Sequence, residues 1–431
     1  MSKTVHPVEE HHEKQPLGRN FTKLLSGVSI TMLGDGLTLL AIPWLATALT
    51  KSAVYVSLVS AASTLPWLLF SIPVGLLIDR YSHKQLMVIT SIFRVTVLGI
   101  LALLVYLGWI NIPLLIMFTF LIGMAKVVFD STAQTTVPTV IGEREQLERA
   151  NGYMVTSITT MDDIIGKGIG GLLIGFGLFI PFMIDATTAL LTIPILWSIQ
   201  GRFHESPKKT NKDVPSSKSN IRDELLGGVT WVWKNPLLRG LAIINIGLTT
   251  TFASIVAIQV LFIQENLGLG SEGFGLLMVI AAIGAIVGGQ MAGFIKTKLG
   301  TKQGMLVSVL LTGLTLGLVG LMNNWIIVSI LYMMGNLSVV VWNVFRLSFL
   351  QRIVPEYLLG RVLSVFRFAS WGMSPIGMFL GGIIVAIGEL FLPRDLALRL
   401  PYIVFIFIQL FCCFLLYVLF VKRSNDDKVT D

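Results

Sequence analysis

The chain has 431 residues, of which 54% are hydrophobic and only 13% charged, with a formal net charge of +8. That charged share is about half what soluble domains carry, too little to coat a globule of this length, so a soluble enzyme and a disordered chain are excluded. The two cysteines, Cys412 and Cys413, are neighbours in an apolar stretch and build neither a disulfide framework nor a metal site.

Residues 1–21 are polar and lack the apolar core and cleavage site of a signal peptide, so they read as a cytoplasmic tail. Apolar runs of about 20 residues, the length that crosses a bilayer as helix, then follow one another. The predicted spans are 22–50, 54–78, 85–107, 112–137, 150–176 and 179–199, then 238–264, 272–295, 303–322, 325–349, 361–387 and 400–421. Between the two groups lies 200–236, a linker with Lys208, Lys209, Lys212, Lys218 and Arg222 among Ser, Asn and Pro. Its second part, 223–234, reads either as a short amphipathic surface helix carrying Trp231, Val232 and Trp233 or as an ordinary loop. Residues 422–431 form a second polar tail. The expected fold is all-α: twelve transmembrane helices in two six-helix bundles, 22–199 and 237–421.

The basic residues orient the spans. With the N-terminus inside, the external loops hold only Lys51, Arg394 and Arg399. Both termini are therefore expected in the cytoplasm. The positive charge reads as a topology signal rather than a nucleic-acid surface.

The halves repeat. Gly75, Arg80 and Lys84, between spans two and three, recur as Gly293, Lys298 and Lys302 between spans eight and nine, at a constant offset of 218. Val137-Pro138 and Val354-Pro355 each follow the fourth span of their half. Parallel six-span repeats are a transporter architecture.

These residues carry a resemblance. Gly75, Asp79, Arg80 and Lys84 are spaced as in the loop 2–3 signature of the major facilitator superfamily. Leu33-Gly34-Asp35, Phe129-Asp130-Ser131, the 147–152 stretch, Asp185-Ala186 and 351–361 make the chain similar to the macrolide-efflux branch of its drug–proton antiporters. Two positions depart from the antiporter pattern: Lys167 stands where a span-five proline is usual, and span four has Lys126 in place of an arginine. The resemblance implies an exporter of an amphiphilic or lipophilic, drug- or macrolide-like compound. It would be a monomer in the plasma membrane, exchanging its small-molecule substrate for protons by alternating access. A lipid or lysolipid flippase and a siderophore or peptide exporter are the alternatives on the same fold. No cofactor, metal or nucleic-acid partner is expected, and no nucleophile–base motif supports an enzyme.

Charges in the spans mark the expected coupling site, since each costs about 2.5–3.5 kcal/mol at the bilayer centre. The acids are Asp35, Asp130, Asp162, Asp163 and Asp185, all in the first half; the bases are Arg94, Lys126, Lys167, Arg346 and Arg367. Asp163 with Lys167, and Lys126 with Asp130, are spaced i,i+4 and can pair on one helix face. Asp35 reads either as a proton or cation carrier or as the partner of Arg94. Asp162 beside Asp163 reads as a carrier, and Asp185 as structural or functional. The proton-coupling set is Asp35, Asp162, Asp163, Arg94 and Lys167.

Arg346 and Arg367, near the cytoplasmic face, are expected to reach for the membrane surface. The resemblance implies that Asp79 engages the start of span eleven near Gly360 and Arg361. With Gly75, Arg80, Lys84 and Asp130 these form an expected cytoplasmic latch. Trp44, Trp67, Met161, Trp342, Phe366 and Trp371 are candidate cavity residues. Small-residue pairs (Gly166/Gly170, Gly171/Gly175, Gly284/Gly288, Gly289/Gly293, Gly377/Gly381) fall on spans expected where the halves meet, and Pro375 is the expected hinge.

Overall fold

The computed structural model describes residues 17–141, 144–200 and 229–429. Among these there is helix and no strand. In the first half, α1 (Arg19–Leu49), α2 (Ala53–Arg80), α3 (His83–Tyr106) and α4 (Ile112–Ile141) are followed by α5 (Arg144–Ile158). A π-helical segment, Thr159–Gly166, continues α5 directly into α6 (Lys167–Phe176), and α7 is Ile180–Trp197. In the second half come α8 (Pro236–Glu265), α9 (Ser271–Val319), α10 (Trp325–Ile353), α11 (Glu356–Gly388), the short α12 (Arg394–Ala397) and α13 (Leu400–Val429).

Ten of these helices are long and apolar enough to cross a membrane. The expected fifth span, 150–176, lies within the run 144–176, which the π-helical segment breaks into three pieces. The eighth and ninth share the 49-residue α9, which leaves helical geometry at Gly300. Gly300 has φ +72°, a left-handed conformation that glycine adopts without steric cost. By the repeat offset it is the counterpart of Ser82, where the first half breaks between α2 and α3.

Local signals set several helix starts. The Asn235 side chain accepts from the amides of Leu237 and Leu238, with Pro236 at the first helical position. Asn324 caps α10 through Ile326 and Ile327 in the same way. Of the predicted surface helix, 229–234 is helical. Val232 is buried in the core of the second half, Trp231 packs against that core, and Trp233 is exposed. The N-terminal tail up to residue 16 and most of the linker lie outside the described residues.

The halves meet through α2 against α11 and α6 against α9. We call the end bearing Arg80, Lys84, Lys298 and Lys302 the basic end, and the opposite one the far end. At the far end a single apolar core runs through both halves, joining Leu45 and Phe182 to Ile258, Phe274 and Tyr402. At the basic end each half has its own core: Phe21, Met87 and Phe129 in the first, Leu238, Phe345 and Phe420 in the second. Leu76, Leu77, Tyr153, Val155 and Phe294 are exposed there. The bundle is closed at the far end and open at the basic end.

Glycine sets the closeness of the far-end contact. A Cβ on Gly171 would lie 2.5 Å from the Ser271 carbonyl oxygen, and one on Gly382 2.7 Å from that of Ala53. Three of the spaced glycine pairs do a different job from the one expected. Gly166 and Gly170 press on α1, Gly284 and Gly288 on α10, and Gly377 and Gly381 on α8, each within its own half. Gly171, of the pair Gly171/Gly175, makes the expected contact between halves, and Gly382 makes another.

Candidate coupling site and cavity

The 31 residues of α1 span about 46 Å. Asp35 lies near the middle of that length, buried. Around it the first half gathers charged side chains from α1, α3, α4, the π-helical segment and α7. Arg94 Nη2 contacts Asp35 and donates to Asp185 Oδ1 at 2.8 Å. Lys126 Nζ donates to Asp35 Oδ2 at 2.6 Å, and lies 3.5 Å from Asp130 Oδ2 and 3.9 Å from Asp162 Oδ2. Thr38 Oγ1 donates to Asp185 Oδ2 at 2.6 Å. A continuous chain thus runs from Asp185 through Arg94, Asp35 and Lys126 to Asp130 and Asp162.

Both Arg94 and Asp185 are fully enclosed, at 1% and 0% exposure. Such burial is sustainable only with partners, because an uncompensated interior charge is strongly unfavourable. The backbone makes room for them. Gly34 faces Asp185, where a Cβ would fall 2.2 Å from Oδ1, and Gly36 lets α1 approach the Asp162 carbonyl, 2.3 Å from where a Cβ would be.

The i,i+4 pair Asp163–Lys167 forms at 2.6 Å, half-exposed and apart from the buried chain. Lys126 does pair with Asp130, but its shortest contact is to Asp35, 91 residues away in sequence. Of the two readings of Asp35, the structure contains the Arg94 contact, with Lys126 added. Asp185 is an integral member of the cluster. Neither the Asp35–Lys126 contact nor the role of Asp185 follows from helix spacing. A signal for Asp185 was present, however: Asp185, Thr188 and Thr192 at i, i+3 and i+7 form a polar stripe on an apolar helix.

Arg80 and Arg361 are exposed, and Gly75 and Gly360 have no atom near a would-be Cβ. Lys84 donates to the Ile199 carbonyl at 3.1 Å and sits over the Trp197 ring, not against Asp130. The Asp79 side chain lies outside the described residues. At the far end, by contrast, Arg394 ties the halves together. It makes a bidentate pair with Glu265, at 2.6 and 2.9 Å, and donates to the Lys51 carbonyl across the interface at 2.5 Å. Gln264 donates to Thr47 Oγ1 at 3.0 Å beside it.

A cavity of about 610 Å³ opens in the second half, walled in part by Trp342, Phe366 and Trp371. Trp67 stacks on Trp371 from the first half, centroids 5.2 Å apart. Trp44 stacks instead on Phe274 in the far-end closure, and Met161 packs into the basic-end core of the first half. Arg346 and Arg367, expected to reach for the membrane surface, are on the cavity wall.

A family model described as "transmembrane secretion effector", a branch of the major facilitator superfamily, matches residues 16–398. The chain belongs to the major facilitator superfamily. Within it, the chain is 23% identical over 373 residues to the multidrug efflux pump Tap of Mycolicibacterium fortuitum, covering 81% of this chain and 85% of that protein. Macrolide efflux protein A of Streptococcus pyogenes is also 23% identical over 373 residues, 84% of this chain and 88% of that one. The enterobactin exporter EntS of Escherichia coli O127:H6 is 26% identical over 316 residues, 72% of each. The nucleoside transporter NupG superposes with a TM-score of 0.74 at 13% identity, over 94% of this chain and 99% of that one. An inward-facing, unoccupied bacterial homologue of the lysosomal transporter Spinster gives 0.70 at 12% identity, covering 93% and 96%. The major facilitator fold is thereby shown, and its members carry small molecules across membranes rather than catalyse reactions.

Proposed function

We propose that this chain is a plasma-membrane exporter of amphiphilic small molecules, driven by proton antiport through alternating access, with its basic end and both termini in the cytoplasm. Relatives named for multidrug, macrolide and enterobactin efflux support export. The observation that carries the proton reading is a charge imbalance. Asp35, Asp130, Asp162 and Asp185 are enclosed with two cations, Arg94 and Lys126. With every group ionised, two negative charges remain unbalanced inside the membrane, where imbalance is costly. Asp130 Oδ1 and Asp162 Oδ1 accept no hydrogen bond. Protons on these carboxylates would neutralise the site.

The contacts support one coupling path. Lys126 is shared among Asp35, Asp130 and Asp162, its longest contact being the 3.9 Å to Asp162. A proton on Asp162 cancels that attraction and leaves Lys126 to Asp35 and Asp130. Asp162 lies in the π-helical segment, a geometry that is uncommon and recurs at functional sites. That segment touches α1 on one side and α9 of the other half on the opposite side. A change in its winding therefore acts directly on the contact between halves.

The test is flux in proteoliposomes, with erythromycin and enterobactin as probes and an imposed pH gradient. Gradient-driven uptake should vanish with nigericin, and Asp35→Asn and Asp162→Asn should abolish it while leaving probe binding in place. Uptake indifferent to the gradient, or normal coupled uptake by Asp35→Asn, would refute proton coupling.

A further inference from the structure

The walls of the second-half cavity carry charge of one sign. Arg346 and Arg367 line it, and Asp and Glu are absent from its lining. The polar groups that accompany the arginines, Asn245, Asn343 and Gln409 among them, are neutral carboxamides and hydroxyls. Between 237 and 421 the only acids are Glu265, Glu272, Glu356, Glu389 and Asp395, all at helix ends or in the loops beyond them.

Neither arginine makes an ion pair among the described residues. Arg346 donates from Nη2 to the neutral Asn343 Oδ1 at 3.3 Å, its buried Nε has no hydrogen-bond partner, and its guanidinium lies 5.9 Å from the Phe366 ring centroid. Helix rise places Arg346 about 10 Å and Arg367 about 16 Å in from the basic ends of α10 and α11. Buried cations are ordinarily matched by a carboxylate, as Arg94 and Lys126 are in the first half. Arg346 has no carboxylate partner among the described residues, and Arg367, which is exposed, stands on the same cavity wall.

Beside the two arginines stand Trp342, Phe366 and Trp371, an apolar aromatic wall. The volume falls within the range of pockets that hold drug-sized ligands. An aromatic wall with a planar, multiply donating cation pair suits a ligand with an apolar body and a carboxylate, sulfonate or phosphate. A cationic amphiphile would meet two like charges. Carboxylates of the first-half cluster are already engaged: Asp35 by Arg94 and Lys126, Asp163 by Lys167 at 2.6 Å.

We propose that this cavity selects amphiphilic anions, with Arg346 and Arg367 as the anion-binding pair and the aromatic wall holding the apolar body. This rests on the exporter reading above and narrows its substrate class.

The experiment measures binding of pyrenebutyrate and pyrenebutylamine, matched in body and opposite in charge, to the purified full chain in dodecyl maltoside. Energy transfer from tryptophan to pyrene reports occupancy. Pyrenebutyrate should bind at least about tenfold more tightly than the amine, the scale of one charge-assisted contact. Arg346→Gln with Arg367→Gln should erase the preference while leaving amine binding unweakened, which also shows that the variant is folded. Arg346→Lys with Arg367→Lys should keep part of it. Equal affinities, a tighter amine, or a preference that survives the double glutamine variant would overturn the proposal. Competition separates the sources of such an anion. Displacement by lysophosphatidylglycerol below its micellar concentration points to a lipid, and displacement by 2-naphthoate alone to a soluble carboxylate. Binding is read without a pH gradient, so failure here leaves proton coupling to be decided by flux, and failure of coupling leaves this result standing.

Discussion

Replacing Gly171 by alanine should open the far end. The new Cβ would stand 2.5 Å from the Ser271 carbonyl oxygen and 2.8 Å from Gly275 Cα, against about 3.4 Å for ordinary contact. Both obstructing atoms are backbone, so no rotamer change relieves the clash. Instead α6 and α9 must separate by about 1 Å. Overpacking of this kind costs about 1–3 kcal/mol. The cost falls only on the conformer in which the helices touch, so the ratio of far-end-open to far-end-closed molecules should rise roughly 5- to 150-fold. Spin labels at Phe176 and Phe391, exposed far-end positions on opposite halves, would report this by double electron–electron resonance in a Cys412→Ala, Cys413→Ser background. A second, longer distance should appear in Gly171→Ala. Gly175→Ala is the control: its Cβ would meet only the Glu272 side chain, at 3.6 Å. Distance distributions for Gly171→Ala that superimpose on those of Gly175→Ala would refute the claim that this backbone contact holds the far end shut.

Two further outcomes follow from the charge contacts. Arg94→Met removes the shared partner of Asp35 and Asp185. Breaking a buried pair from one side costs about 3–5 kcal/mol, so thermal melting in nonionic detergent should show a clear loss that Asp185→Asn partly restores. A single variant as stable as the parent would contradict the pairing. Arg394→Gln removes the tie to Glu265 and the Lys51 carbonyl; because that site is partly solvated, its contribution is about 1 kcal/mol or less. Far-end opening, read with the same spin labels, should increase modestly, and the parent's sensitivity to salt should shrink in the variant.

The fold was legible because a membrane leaves the backbone few choices. Apolar runs of spanning length become helices whatever their neighbours do, so the positions of most helices could be read directly. Two local features make the count of long helices smaller than the count of expected spans. Gly300 turns the chain with one non-helical residue, and the π-helical segment divides the fifth span without any change in its hydropathy. The candidate site was legible only along single helices. The i,i+4 spacing gave Asp163–Lys167 correctly because both partners share one face. The same rule paired Lys126 with Asp130 and missed its stronger contact to Asp35, which depends on how α1 and α4 pack. The place of Arg346 and Arg367 on the cavity wall was not legible for a similar reason: depth along a helix can be counted from sequence, but the side that faces a cavity cannot.

The two halves descend from a common pattern yet divide the electrostatics between them. In the first, four carboxylates and two cations from five elements are enclosed together, with Gly34 and Gly36 letting α1 close on the cluster. In the second, the cavity wall has cations and no acid, and carboxamides such as Asn245 and Gln409 stand among its polar groups. An acid-rich cluster in one half and a ligand-sized space in the other need a mechanical link to be coupled. The structure provides one candidate. The π-helical segment carries Asp162 and Asp163, leads at once into α6, and α6 meets α9 at Gly171 and Gly275. Protonation at Asp162 and occupancy beside Arg346 would then bias the same interface from opposite sides. That is the condition for antiport: two ligands coupled through one bistable contact, each altering the population on which the other acts.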